Sequence, residues 1–275
     1  LKGRSVLIDK PAIKLFEPQQ LKVFNNAPKN ERTTKIHESF PLIATDEPEV
    51  NGPEIISRLR RKTFAGWPEE EGELSIQKAS DTERDGVRLA AYDFDSQAGI
   101  RLRMQVVHKV DLAKGATVHM QVLNTNQAED IAGQLEFGVG HPGVYITLSP
   151  RGAGLTKLTQ NEKHITQTRR RFMLLGQTLA GQQVWDVRRC IRALRTLERC
   201  TSAPLELWGT GDSASLITLV TLFERDIRKI HLGDYPSTDK EQPDYLNISR
   251  FTTPLQLINL AKRKTQVVML GKEKK

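Results

Sequence analysis

A sharp passage from a buried strand into a helix is the feature of this sequence that most constrains its fold. Residues 205–216 contain an apolar strand, a few small residues and then a helical run that begins within a few positions. Small residues on both sides of such a turn let strand and helix pack closely, while the residue at its apex is exposed at the carboxyl edge of a sheet. The sequence therefore predicts an α/β domain with this turn at the edge where open sheets bind ligands.

The turn has the spacing of a G-x-S-x-G nucleophile elbow, but its apex carries no nucleophile. Gly209 and Ser213 occupy the small flanking positions, and Gly211 stands where the pattern has serine. Glycine adopts the positive φ of an apex without steric cost, so the geometry can persist without the chemistry. Ser213 is only a weak substitute nucleophile, because serine in the first turn of a helix typically caps backbone amides. Asp212 places an anion near the positive end of the helix dipole.

The same turn also matches part of the dinucleotide-binding fingerprint. Gly209, Gly211 and Ala214 have the G-x-G-x-x-A spacing, and Asp234 ends the next predicted strand about 20 residues later, where a carboxylate would bind a ribose. The fingerprint normally opens the first β-α unit, whereas core strands precede it here. A dinucleotide-binding domain therefore remains an alternative to the main hypothesis.

The order of elements predicts one α/β domain behind an irregular arm. Residues 1–70 contain seven prolines between charged stretches and predict an extended arm or linker with a short helix near 53–62. Phe64 and Trp67 are expected to clamp this arm to the domain. Residues 71–275 predict a three-layer sandwich with a mixed, mostly parallel sheet and flanking helices, truncated after the penultimate strand. The predicted strands cover 73–78, 87–94, 100–108, 117–123, 143–148, 204–208, 227–232 and 266–270, and the predicted helices 184–197, 213–224 and 254–262.

Charge and cysteine content narrow the possible partners. The net charge is +8, and many of the arginines lie between residues 161 and 200, four of them on one helical face at 188, 192, 195 and 199. We expect this face to be solvated and paired with carboxylates, and a nucleic-acid partner is not favoured because no aromatic cluster or motif accompanies it. No run approaches the ~20 apolar residues of a membrane span, and no Cys/His spacing predicts a metal site. No cofactor is expected. Cys190 and Cys200 are expected to be buried free thiols, with a disulfide as the alternative in an exported chain.

Four stretches resemble the acetylxylan-esterase-like branch of the α/β-hydrolases, which includes large bacterial proteins called acetylxylan esterases or xylanases. Residues 144–154 are similar to the strand and RG-x-G turn of these enzymes. Residues 172–189 contain Val-Trp-Asp-Val-Arg-Arg, similar to their helix before the elbow. The elbow is the third stretch and residues 246–270 are the fourth. Together they cover roughly residues 85–271, and they imply an α/β-hydrolase-like fold in a carboxylic ester hydrolase family.

The positions of a catalytic triad that this resemblance implies are not matched. The nucleophile position falls on Gly211. The acid would follow the strand that ends at Leu270, where the sequence has Gly271 and Lys272, and the histidine would follow a further strand. None of the six histidines obviously replaces it. Ordinary Ser-His-Asp acyl transfer is therefore unsupported.

These observations predict a pseudoenzyme: a degenerate α/β-hydrolase domain of an exported or cell-envelope bacterial protein, supporting an upstream esterase domain of the same polypeptide. Residues 16–24 resemble the connector between two such units. A residual pocket, with polysaccharide as a candidate ligand, is expected near the elbow and the polar loop of Asp234, Ser237 and Asp239. Two alternatives remain open: an active serine esterase on acetylated polysaccharide with a non-standard nucleophile, and the dinucleotide-binding domain.

Overall fold

Two compact units, Leu1–Leu42 and Ile43–Lys275, make up the chain. The structure, a computed structural model, describes residues 16–39, 51–125, 127, 142–157 and 161–271. In the first unit, residues 16–39 form largely exposed turns and a short 3-10 helix, Ile36–Ser39. The second unit contains the sheet and the helices described below.

Eight strands in the described part of the chain form one mixed sheet. They are β1 Gln77–Arg84, β2 Val87–Gln97, β3 Ile100–Lys109, β4 Val118–Val122, β5 Val144–Leu148, β6 Leu205–Thr210, β7 Ile227–Gly233 and β8 Gln266–Met269. Their order across the sheet is β1-β2-β3-β5-β4-β6-β7-β8. β1 to β3 pair antiparallel with their neighbours, and β4 to β8 run parallel to one another. The predicted mixed, mostly parallel sheet is confirmed.

Five α-helices in the described part of the chain flank this sheet. They are α1 Gly52–Arg58, α2 Glu162–Leu174, α3 Leu179–Leu194, α4 Asp212–Phe223 and α5 Pro254–Lys262. Thr178 caps α3 by accepting from the amide of Gly181, and Thr253 forms a capping box with Gln256 at the start of α5. Because α4 packs against both α3 and α5 as well as β6 and β7, these three helices lie side by side on one face of the sheet.

The segment before β1 belongs to the second unit and is not part of a separate arm. Phe64 and Trp67 are buried and stack with their ring centroids 4.2 Å apart. Trp67 donates from Nε1 to the carbonyl of Gly181, at 2.7 Å, which ties the segment to α3. The expected aromatic clamp is present, but the compact unit begins after Leu42, well before residue 71, because the apolar side of α1 is buried in the same core.

Two elements, β1 and α2, differ most from the sequence prediction, and α3 runs from Leu179 to Leu194 where 184–197 was expected. The first strand was expected at 73–78 but runs from Gln77 to Arg84, and all of its residues are exposed, so no apolar alternation marks it. Asp85 and Gly86 form the hairpin turn that follows, with φ angles of 53° and 73°. Helix α2 was not predicted, because none of its residues is buried and it therefore has no apolar stripe.

The arginine face of α3 is bound to other groups. Arg188 lies 2.6 Å from the carboxylate of Glu224, and Arg192 lies 3.4 Å from the same group. Arg195 and Arg199 donate to backbone carbonyls of neighbouring loops. Pairing with carboxylates is confirmed for the first two arginines, but the expectation of a solvated face is wrong for Arg188, whose side chain is 12% exposed because it packs on aromatic rings. The other two arginines hold loops in place.

The cysteines are free and buried, as the sequence favours. Burial raises the pKa of the Cys200 thiol to about 11, and it also raises the pKa of Cys190, so neither is activated as a thiolate. Within the described ranges, no helix combines the length and the apolar character needed to cross a bilayer.

Candidate functional site

The predicted elbow lies between β6 and α4, with Gly211 at its apex. Gly211 has φ 60° and ψ −121°, and its amide donates to the carbonyl of Gly233 on β7 at 2.9 Å. A β-carbon built on Gly211 would meet no heavy atom within 4 Å. The apex is therefore held by the sheet and has open space where a nucleophilic side chain would project. The backbone has the shape of an elbow, and the reacting group is missing.

Gly209 allows β6 and α4 to approach closely. A β-carbon at this position would lie 2.6 Å from the carbonyl oxygen of Ser213 and 2.7 Å from its carbonyl carbon. Both are backbone atoms, which cannot move aside as a flexible side chain could. Strand–helix packing thus accounts for the first glycine of the dinucleotide-like spacing without a nucleotide.

Ser213 is buried and fastens the helix to the strand. Its Oγ accepts a hydrogen bond from the amide of Thr210 at 2.9 Å and donates to the carbonyl of Thr210 at 3.0 Å. Of the capping or packing role expected for Ser213, the structure shows the packing role, because the hydroxyl binds the last residue of β6, three positions earlier, and caps no amide of its own helix. Neither partner is a base that could activate the hydroxyl, which is required of a nucleophilic serine.

Two polar residues, Asp212 and Asn124, lie close to the elbow. Asp212 follows the apex, and in G-x-S-x-G enzymes the amide of that residue binds the oxyanion. Partial burial raises the pKa of the Asp212 carboxyl. Asn124 lies in the loop after β4, and its Nδ2 donates to the carbonyl of Thr210 at 3.4 Å. The site can thus present polar groups to a ligand, but its apex offers nothing that can attack one.

The predicted polar loop follows β7 at the carboxyl edge of the sheet, as expected. Asp234 is exposed with φ 43°, directly after the β7 residue that pairs with the end of β6. Ser237 donates from both its amide and its Oγ to the carboxylate of Glu241, each at 2.8 Å. Asp239 is half-buried. Of these three residues, Asp234 lies nearest to the elbow, because it directly follows the β7 residue that pairs with the end of β6. The hydrogen bonds of Ser237 are made within its own loop.

A polar and aromatic cluster on the sheet was not identified from the sequence. Glu206 on β6 lies 3.0 Å from Nε2 of His231, and Trp208 stacks on His231 with centroids 3.6 Å apart. His119 stacks on Tyr145 at 5.1 Å. Burial would raise the pKa of Glu206, but the His231 bond and nearby cations lower it overall. The cluster lies on the face of the sheet opposite α4. In the sequence, the alternation of Glu206 and Trp208 with leucines along β6 is the signal that could have revealed it.

No metal centre emerges from these groups. In the described part of the chain, no three His, Cys, Asp or Glu side chains are placed to ligate one ion. The cluster therefore combines ring stacking with two histidine–carboxylate contacts, of His231 and His119 with Glu206, and its histidines are expected to affect stability.

We expect His119 to make stability depend on pH. Burial lowers the pKa of His119 below its ordinary value of 6.5, against the opposing effect of Glu206. The unfolded chain therefore binds the proton more readily, so the stability associated with neutral His119 is present above pH 6.5 and is lost as the pH falls below it. Urea unfolding at pH 7.5 and 5.5 should show a smaller pH effect in His119→Gln than in the wild type. An identical pH effect in both proteins would contradict this assignment.

A buried ion pair joins two of the stretches that resemble esterases. Arg151, in the turn after β5, donates from Nη2 to Oδ1 of Asp186 on α3 at 2.6 Å and from Nε to Oδ2 at 2.9 Å. The backbone amide of Arg151 also donates to Oδ2, at 2.9 Å, and Ser96 on β2 donates to Oδ1 at 2.5 Å. The RG turn and the Val-Trp-Asp helix therefore form one structural anchor, and neither side chain is free for catalysis.

Comparison with known proteins identifies the fold. No protein-family model and no curated protein matches the sequence. The structure is similar to a Bacteroides fragilis protein described as an acetyl xylan esterase, with TM-score 0.64 and 10% identity over 80% of this chain and 74% of that one. It is also similar to acetyl xylan esterase 1 from Thermoanaerobacterium sp. JW/SL YS485 (TM-score 0.54, 13% identity, 82% and 80% covered). A third similar structure is a glucuronoyl esterase from Solibacter usitatus (TM-score 0.57, 9% identity, 83% and 78% covered). The chain has the α/β-hydrolase fold, as its sequence resemblance implied.

Proposed function

We propose that this chain is a catalytically degenerate α/β-hydrolase-fold domain of carbohydrate-esterase type, which supports a separate catalytic esterase domain. One observation carries the proposal. The apex of the elbow is Gly211, which has the backbone geometry and open space of a nucleophile position but no hydroxyl or thiol. Without a nucleophile at this point, acyl transfer by the usual triad has no first step.

The neighbouring serine does not replace the missing group. Ser213 is fully buried, and both hydrogen-bonding capacities of its hydroxyl are used by the backbone of Thr210. A nucleophilic serine needs a base within about 2.6–3.2 Å and a path to its substrate. This observation argues against the alternative of an esterase with a displaced nucleophile.

The supporting role is inferred from an elbow whose packing residues are present and whose nucleophile is missing. Gly209, Ser213 and the Arg151–Asp186 pair provide the close packing of an elbow and its anchoring helix. The reacting group alone is absent from the turn. A domain built in this way can contribute surfaces but not acyl transfer. We place it in an exported or cell-envelope protein, beside an esterase domain acting on acetylated polysaccharide.

The direct test is hydrolysis of p-nitrophenyl acetate by this chain and by its Ser213→Ala variant, each compared with a blank without protein. We expect neither protein to exceed the blank, because the described residues of the elbow offer no activated nucleophile. Activity that is present in the wild type and disappears in Ser213→Ala would overturn the proposal.

Placing a serine at the apex tests whether the rest of the site could activate a nucleophile there. We expect Gly211→Ser to fold, since its β-carbon would meet no atom within 4 Å, and to remain unlabelled by a fluorophosphonate probe, because the described residues place no base that close to the new side chain. Mass spectrometry of the labelled chain provides the readout. Labelling at position 211 would reveal a working base and would show that only the nucleophile is missing.

A further inference from the structure

We draw no further inference here: the strongest candidate, the cluster of His119, Tyr145, Trp208 and His231 around Glu206 on the face of the sheet opposite α4, carries nothing further, because nothing in the structure shows what covers that face.

Discussion

Asp186→Ala is expected to lower the free energy of unfolding by about 3–5 kcal/mol, because it leaves a buried cation without its counter-ion. Asp186 is fully buried, and it accepts hydrogen bonds from the guanidinium and the amide of Arg151 and from the hydroxyl of Ser96. In the variant, Arg151 retains neutral contacts with Gln97 at 3.2 Å and with Ser96 at 3.4 Å, and its side chain is only 11% exposed to water. The cost is that of an unpaired charge in the core, and it exceeds the net value of the pair itself.

Urea denaturation followed by circular dichroism measures this effect. Asp186→Asn preserves the shape and one acceptor, so we expect it to lie between the wild type and the alanine variant, which keeps the test usable if Asp186→Ala does not fold. Glu54→Ala provides the control, because it removes an exposed pair with Arg58 on α1 and should change stability by no more than about 0.5 kcal/mol. A loss below about 1 kcal/mol in Asp186→Ala would show that Arg151 rehydrates and that the anchor is dispensable.

The parts of this molecule that the sequence predicts are those with local signals. The elbow is readable because its small residues at 209 and 213, its glycine apex and the strand before it lie within a few positions of one another. Helix α5 is readable because Thr253 can cap its start and Pro254 occupies its first position, and both are signals for the beginning of a helix. Strand β3 from Leu102 to Val106, and the second half of β2, are readable because buried residues alternate with half-buried ones.

The parts that the sequence misses depend on contacts between distant residues or on the absence of burial. Arg151 and Asp186 are 35 positions apart, and only the fold brings the turn after β5 onto α3. The cluster around Glu206 needs the register of β4, β6 and β7, which no single strand specifies. Strand β1 and helix α2 lack buried residues, so the periodicity that reveals secondary structure is missing from both. Asp85-Gly86 was the available local signal for β1, as a two-residue hairpin turn.

Gly209→Ala is expected to destabilise the domain by about 3 kcal/mol or more, the upper part of the range for overpacked sites. The added methyl group would lie 2.6 Å from the carbonyl oxygen of Ser213, and real β-carbons essentially never approach a heavy atom so closely. Because the obstacle is backbone, relief requires α4 to move away from β6. Such a movement would also break the two hydrogen bonds between Ser213 and Thr210. The methyl group therefore costs far more than its volume alone suggests.

Gly211→Ala is the matched control, two residues away in the same turn. Its methyl group enters open space, so only the sparsely populated backbone of φ 60° and ψ −121° opposes it, at a cost of about 1–3 kcal/mol. Thermal and urea unfolding of the two variants should therefore rank Gly209→Ala well below Gly211→Ala. The reverse order would mean that the apex is the strained, constrained position and that β6 and α4 can separate at little cost. The expected order would instead show that the tight contact between β6 and α4 maintains the elbow. The backbone shape that suits a nucleophile can then persist even though the apex residue has no side chain.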